Sequence, residues 1–160
     1  MALKSAKWIA VLIVVLCTVM LAQAPKPYGP PVSVDNAKKA AATALAEARK
    51  NNWIMAVAVV DPSGTLVYYE KMDNTQTGSA QLAIEKARTA AMFKRPSKAF
   101  QDVLTSGGVG LRILGLRDAT PIEGGIPLVM DGKIVGAIGL SGDSADHDGI
   151  CAQAGADTLK

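Results

Sequence analysis

The feature that most constrains this chain is the run from Gly124 to Gly142. It alternates apolar residues with glycines around a central Asp131-Gly132 pair. Asp-Gly readily takes the positive φ angles of a tight hairpin, so the run predicts two buried strands joined by that turn. In the second strand Gly136 and Gly139 interrupt Ile134, Val135, Ile138 and Leu140. Glycine weakens a strand unless another backbone or a ligand must approach closely. The pattern therefore predicts a flat surface under close packing. A helix laid on the sheet is the first reading, and a planar ligand the second.

The order of elements follows from periodicity and turn chemistry. Pro25 to Val32 reads as an extended, exposed, proline-rich linker. Ser33 or Asp35 caps a helix reaching about Asn51, with Ala37, Ala40, Ala41, Ala44, Leu45 and Ala48 on one face. Residues 53–60 and 65–72 read as strands around the turn at Asp61-Pro62-Ser63-Gly64. A helix is expected over 79–94, closed by Arg95-Pro96, then a shorter one capped by Ser97 and ending near Gly107-Gly108. Residues 107–123 give a weak pattern, with one short strand expected around Arg112 to Leu116. After the hairpin, Asp143 or Ser144 caps a final helix running to the C-terminus. Hairpins around central helices imply an antiparallel sheet with helices packed on it, an α+β fold.

The first 24 residues form a separate unit. Lys4 and Lys7 precede an apolar stretch from Trp8 to Leu21, and Ala22-Gln23-Ala24 supplies the small residues that a signal peptidase accepts. Residues 1–24 thus read as an export signal for the periplasm or exterior, with an uncleaved membrane anchor over 8–24 as the alternative. Pro25, at the position following the expected cut, is the feature that favours the anchor. The domain proper is assigned to residues 33–160. Without the leader the chain has 15 basic and 14 acidic residues. That near-neutral balance, with only 4% aromatic residues, argues against a nucleic-acid partner. The membrane enters only through an uncleaved leader. A hydrophobic content of 49% supports a full core. Cys151 is left as a single cysteine, so no internal disulfide forms and it reads as a small core residue.

Three segments together carry a resemblance: residues 57–64, Lys86-Ala87-Arg88-Thr89-Ala90-Ala91, and the glycine-rich hairpin, closed by Cys151-Ala152-Gln153-Ala154-Gly155. Their order and spacing resemble the GlcG/HbpS-like haem-binding family, which includes the C-terminal domain of PduO-type corrinoid adenosyltransferases. The resemblance implies a five-stranded antiparallel sheet between helices, homo-oligomers, and haem or iron binding in some members. An acid pair carried by one iron-binding branch is not matched here, where Gln81 and Ile84 occupy the region. No haem ligand transfers by motif.

Candidate chemistry is sparse. Asp143, Asp146 and His147 form the one acid–histidine cluster and are candidates for a metal or for haem iron. The competing reading is capping of the last helix by its acids. Arg88 could clamp a carboxylate; the competing reading is a surface ion pair with Glu85. Asp118, Thr120 and Glu123 lead into Gly124-Gly125 and are candidates for a pocket mouth, with ordinary turn formation as the alternative. Met92 and Met130 read as packing residues rather than iron ligands. No nucleophile–base pair, P-loop or dinucleotide fingerprint is present. The leading function is an exported, non-catalytic binder of haem, another tetrapyrrole or iron, concerned with haem sensing, storage or degradation. An enzyme of the same fold acting on a small organic acid is the alternative, and an oligomeric structural protein is the third class.

Overall fold

The computed structural model describes residues 26–159. The segment expected to direct export, residues 1–24, and Pro25 at its expected cleavage site lie outside these residues. None of the described helices is long and apolar enough to cross a membrane.

The elements are α1 (Val34–Lys50), β1 (Ala56–Val60), β2 (Leu66–Lys71), α2 (Gly78–Phe93), α3 (Lys98–Thr105), a 3-10 segment (Gly108–Gly115), β3 (Gly125–Met130), β4 (Lys133–Ser141) and α4 (Ala145–Ala156), followed by a short 3-10 turn at Asp157–Leu159. The sheet order is β2-β1-β4-β3 with every neighbouring pair antiparallel. The α+β architecture is the expected one, with a correction: among the described residues the sheet has four strands, not five. The strand expected at Arg112 to Leu116 is a 3-10 segment instead. Three glycines, Arg112 and Leu, Ile and Val side chains fill that segment without a sustained period-2 alternation, so it has no single face to bury as a strand.

Residues 27–32 also differ from expectation. They are laid against the sheet rather than left free. The Ile134 nitrogen donates to the Pro27 carbonyl at 2.8 Å, Gly29 donates to Ile134, and Val32 donates to Val135. The pairing of β1 with β4 reaches only Ala137, so the Lys133–Val135 end of β4 has open edge groups on that side. The strap satisfies them. The Tyr28 hydroxyl then shares its proton between the carbonyls of Ala91 and Met92, at 2.9 and 3.0 Å. These belong to the last turn of α2, whose carbonyls lack helical partners.

The sheet separates two unlike layers. On one face α2 presents Ala83, Ala87, Ala90 and Ala91 to Ala56, Ala58, Val60 and Ala137. On the other, α1 and α4 cover Val57, Val59, Leu128, Ile138 and Leu140. The buried face of α1 is the alanine stripe read from the sequence. Its N-cap is Ser33, whose hydroxyl accepts from the Asn36 amide at 3.3 Å. The Asp131-Gly132 turn has φ values of 49° and 73°, the doubly positive geometry that the hairpin demands. Helix packing explains Gly139, where a side chain would run into the Ala83 carbonyl of α2, whereas one at Gly136 would run into the Val60 carbonyl of β1.

Candidate functional site

The first residues of β3 lie where three layers meet. A side chain at Gly125 would collide with the Lys86 carbonyl of α2. One at Gly124 would lie 2.8 Å from the Leu140 carbonyl, 2.9 Å from Asp148 Cβ and 3.0 Å from Lys86 Nζ. Lys86 therefore passes from the α2 layer across the end of the sheet, beside Gly124, to α4. There its Nζ meets Asp148 Oδ2 at 2.6 Å, with the two side chains 1% and 2% exposed. Only a residue without Cβ leaves room for this crossing. Gly124 also has φ of 126°, which disfavours any other residue.

Both buried charges pay for leaving water. Burial raises the Asp148 pKa to about 6, against the pull of Lys86. Burial likewise lowers that of Lys86, against the attraction of Asp148 and then Glu123. Asp148 Oδ1 additionally accepts from the Asp143 amide at 3.4 Å.

In front of the pair is a groove of about 590 Å³ along the open edge of β3. One wall is Gly124, Gly125 and Ile126, and the other is Gly149, Ile150 and Ala154 of α4. Pro96 also lines it. The rim is polar: Lys98 binds Glu123 at 3.1 Å and Asp102 at 3.2 Å, and these partners raise its pKa. Gln153 donates to Asp157 at 2.6 Å on the opposite rim. Ser97 stands at the N-cap of α3, as expected from sequence, but its side chain makes no capping hydrogen bond there. Its hydroxyl donates to Ile122 and accepts from Gly125, while its amide donates to the Gly125 carbonyl. Ser97 thereby pairs the start of the β3 edge. Pro127, two residues on, has the same outward parity, so its missing N–H costs no sheet bond.

The sequence candidates fall into three separate places. Glu123, Gly124 and Gly125 line the groove. Arg88, Asp118 and Thr120 line a second cavity of about 260 Å³ with Glu85. Arg88 is exposed rather than turned toward the sheet, and its Nε donates to the Gly64 carbonyl at 3.0 Å. No Arg88–Glu85 ion pair forms; Glu85 accepts from Gln81 and Thr120 instead. His147 lies apart, stacked on Trp53 with ring centroids 3.8 Å apart. Its Nδ1 is 2.7 Å from Asp143 Oδ1, and its Nε2 is 3.9 Å from Asp146 Oδ2. The Ser144 amide and then His147 hold the Asp143 carboxyl below its usual pKa. Among the described residues no three His, Cys, Asp or Glu side chains converge to hold a metal ion. Ser144 is the N-cap residue of α4, but neither its hydroxyl nor the Asp143 carboxylate caps the helix in the usual way; Asp143 accepts from the adjacent Ser144 amide.

Sequence reasoning missed Lys86 and the role of Asp148. A signal was present, because Lys86 shares a helical face with Ser79, Ala83 and Ala90, all buried.

A family model described as "Haem degrading protein HbpS-like" matches residues 32–157. The chain belongs to the HbpS-like family. Protein GlcG of Escherichia coli K12 is 40% identical over 95 residues, covering 59% of this chain and 69% of GlcG. The crystal structure of a double mutant of Streptomyces reticuli HbpS superposes with a TM-score of 0.75 at 28% identity, over 82% of this chain and 89% of HbpS. A structure of a PduOC:heme complex matches with a TM-score of 0.72 at 26% identity, over 81% and 96% of the two chains. The HbpS-like fold is thus shared over about four-fifths of this chain.

The groove fits a tetrapyrrole in part of its chemistry. Two glycines leave one wall flat, Ile126, Ile150 and Ala154 make it apolar, and Lys98 offers a cation at the rim. Among the described residues, none that lines it is a histidine, methionine, cysteine or tyrosine.

Proposed function

We propose that this chain is an exported, non-catalytic protein that binds haem or a related tetrapyrrole in the groove between β3 and α4. The observation that carries the reading is the groove itself: a flat apolar slot of about 590 Å³ with a cation at its rim, in a member of a haem-handling family. Its size falls within the range of small-molecule sites. Gly124, Gly125 and Ile126 would face one side of the macrocycle, Ile150 and Ala154 the other, and Lys98 a propionate. Bound haem would supply the iron for ligand exchange or redox chemistry. The groove residues hold the ring by apolar contact and exclude water from its faces. The role in haem sensing, storage or degradation belongs to the same proposal.

Titration of the purified protein with haemin tests it. A saturable, sharpened Soret band that weakens in Ile150→Glu is the expected result; an unchanged haemin spectrum overturns the reading.

Two further parts belong to this proposal. Copies of the chain assemble, supported by apolar side chains displayed on the 3-10 segment: Val109 is 77% exposed and Leu114 69%, with Leu111 also outward. Light scattering at micromolar concentration decides it, a monomer being the adverse result. Export rests on residues 1–24, and N-terminal sequencing of the protein recovered outside the cytoplasm checks it. A second reading, an enzyme for a small organic acid, is favoured by one observation: Arg88 lines the smaller cavity with Asp118 and Thr120 without an ion pair to either acid there. Turnover of a panel of hydroxy acids, lost in Arg88→Gln, would support it.

A further inference from the structure

The Lys86–Asp148 pair stands directly behind both walls of the groove. Lys86 touches the first wall twice: its carbonyl packs against Gly125, and its Nζ lies against Gly124. Asp148 precedes Gly149 and Ile150 of the second wall, and its Oδ1 holds the Asp143 amide just before α4. The two walls belong to different layers. α4 packs on the Ile138 and Leu140 face, whereas Lys86 comes from the helix on the opposite face. The side chains are joined at 2.6 Å and fully shielded from solvent.

A buried ion pair is a poor source of stability, since desolvation offsets most of the attraction, and an apolar replacement of similar volume is often neutral or stabilising. What such a pair does provide is a fixed distance and direction between the elements that carry it. Glu123 reinforces the arrangement from the groove side: Gly149 admits its carboxylate so closely that a Cβ there would lie 2.7 Å from Oε1. Glu123 is in turn held by Lys98.

We infer that Lys86 and Asp148 are positioning residues for the groove, tying the Gly124–Gly125 wall to the first turn of α4 and setting the width of the slot that a flat ligand enters. The inference rests on reading the groove as the ligand site. Neither side chain touches the ligand; they act through the backbone in front of them. Pre-set walls spare the ligand the cost of ordering them, which is where affinity is lost in a loose site.

The decisive variant is Lys86→Met/Asp148→Leu, which removes both charges and keeps apolar volume. Two measurements are made on it and on the parent: amide hydrogen exchange, and haemin titration. The expected result is a thermal midpoint equal to or above that of the parent, with exchange at residues 123–126 and 145–150 at least about tenfold faster and haemin affinity at least about tenfold weaker. Parent-like exchange and parent-like affinity overturn the inference. So does faster exchange spread evenly over the whole sheet, which marks a general structural role. Asp148→Asn serves if the double variant does not fold: it keeps the shape and an acceptor for Lys86, and faster exchange confined to the same two segments is expected. Should the parent itself bind no haemin, the groove reading fails, while the exchange comparison still decides whether the pair sets the walls.

Discussion

The two faces of the sheet are packed by opposite means. Toward α2, alanines and glycines bring backbone against backbone, and a Cβ at Gly125 or Gly139 has nowhere to go. Toward α1 and α4, Val57, Val59, Leu128, Ile138 and Leu140 fill the space with side chains. The first face has nothing to spare for added volume, and the second depends on volume already there. The contrast explains how a chain with so few aromatic residues still closes a core. It also explains where the exception sits. The one long charged side chain on the small-residue face, Lys86, leaves that face at its edge and ends among the groups of the other.

Substitutions can break that contrast in order of expected effect. Leu140→Ala, on the filled face, should cost about 4 kcal/mol, the transfer loss plus the cavity left behind. Gly139→Val, on the thin face, should cost about 3 kcal/mol by forcing α2 outward. Chemical denaturation measures both. Equal tolerance of Leu140→Ala and Leu140→Met, or a Gly139→Val variant as stable as the parent, would erase the distinction between the faces.

Lys86→Met tests the crossing. It strands Asp148 without its partner, which by analogy with broken buried pairs costs roughly 3 kcal/mol near neutral pH. Asp148 then sheds its charge by taking up a proton, so the deficit should shrink as the pH falls from 8 to 5. In the parent the sign follows from the raised Asp148 pKa. The folded state binds a proton more tightly than the unfolded one. The contribution of this group is therefore complete below its ordinary value of 3.8 and is lost as the pH rises through about 6. Thermal melts across pH 3.5 to 7 should show this slope in the parent and lose it in Asp148→Asn.

The smallest effect is expected at the surface. His147→Ala removes the stack on Trp53 and the contact with Asp143, at about 1 kcal/mol or less. Its haemin spectrum should match that of the parent, because His147 lies away from the groove lining. A histidine-type spectrum lost in this variant would move the site from the groove to that end of α4.

How far the sequence carried these conclusions varies by region. The hairpin was legible because Asp131-Gly132 encodes its own φ angles, and α1 because its alanines repeat at helical spacing. Both signals are local. The 3-10 segment was not legible, because hydropathy alone does not tell core from surface, and its apolar Val109, Leu111 and Leu114 lie on the surface. Only a surface map distinguishes the two. At the site, Gly124-Gly125 announced a close approach without naming what approaches. The answer, a lysine 38 residues earlier, is a tertiary fact that no local pattern holds. Arg88 drew attention as the cation of its motif, whereas Lys86, two positions before it, is the one that faces inward.

The strap at residues 27–32 bears on the order in which this chain can be assembled. Its partners are Ile134 and Val135, more than 100 positions later, and the end of α2. Contacts so distant along the chain close late, after the entropy of the intervening loop has been met by nearer pairings. The earliest described residues therefore wait for one of the last strands to be made. Until that hairpin has emerged, the Lys133–Val135 end of β4 does not exist for the strap to cover, and the α2 carbonyls of Ala91 and Met92 lack the Tyr28 hydroxyl. A chain threaded outward from its N-terminus would thus carry this strap undocked until the final third had followed it.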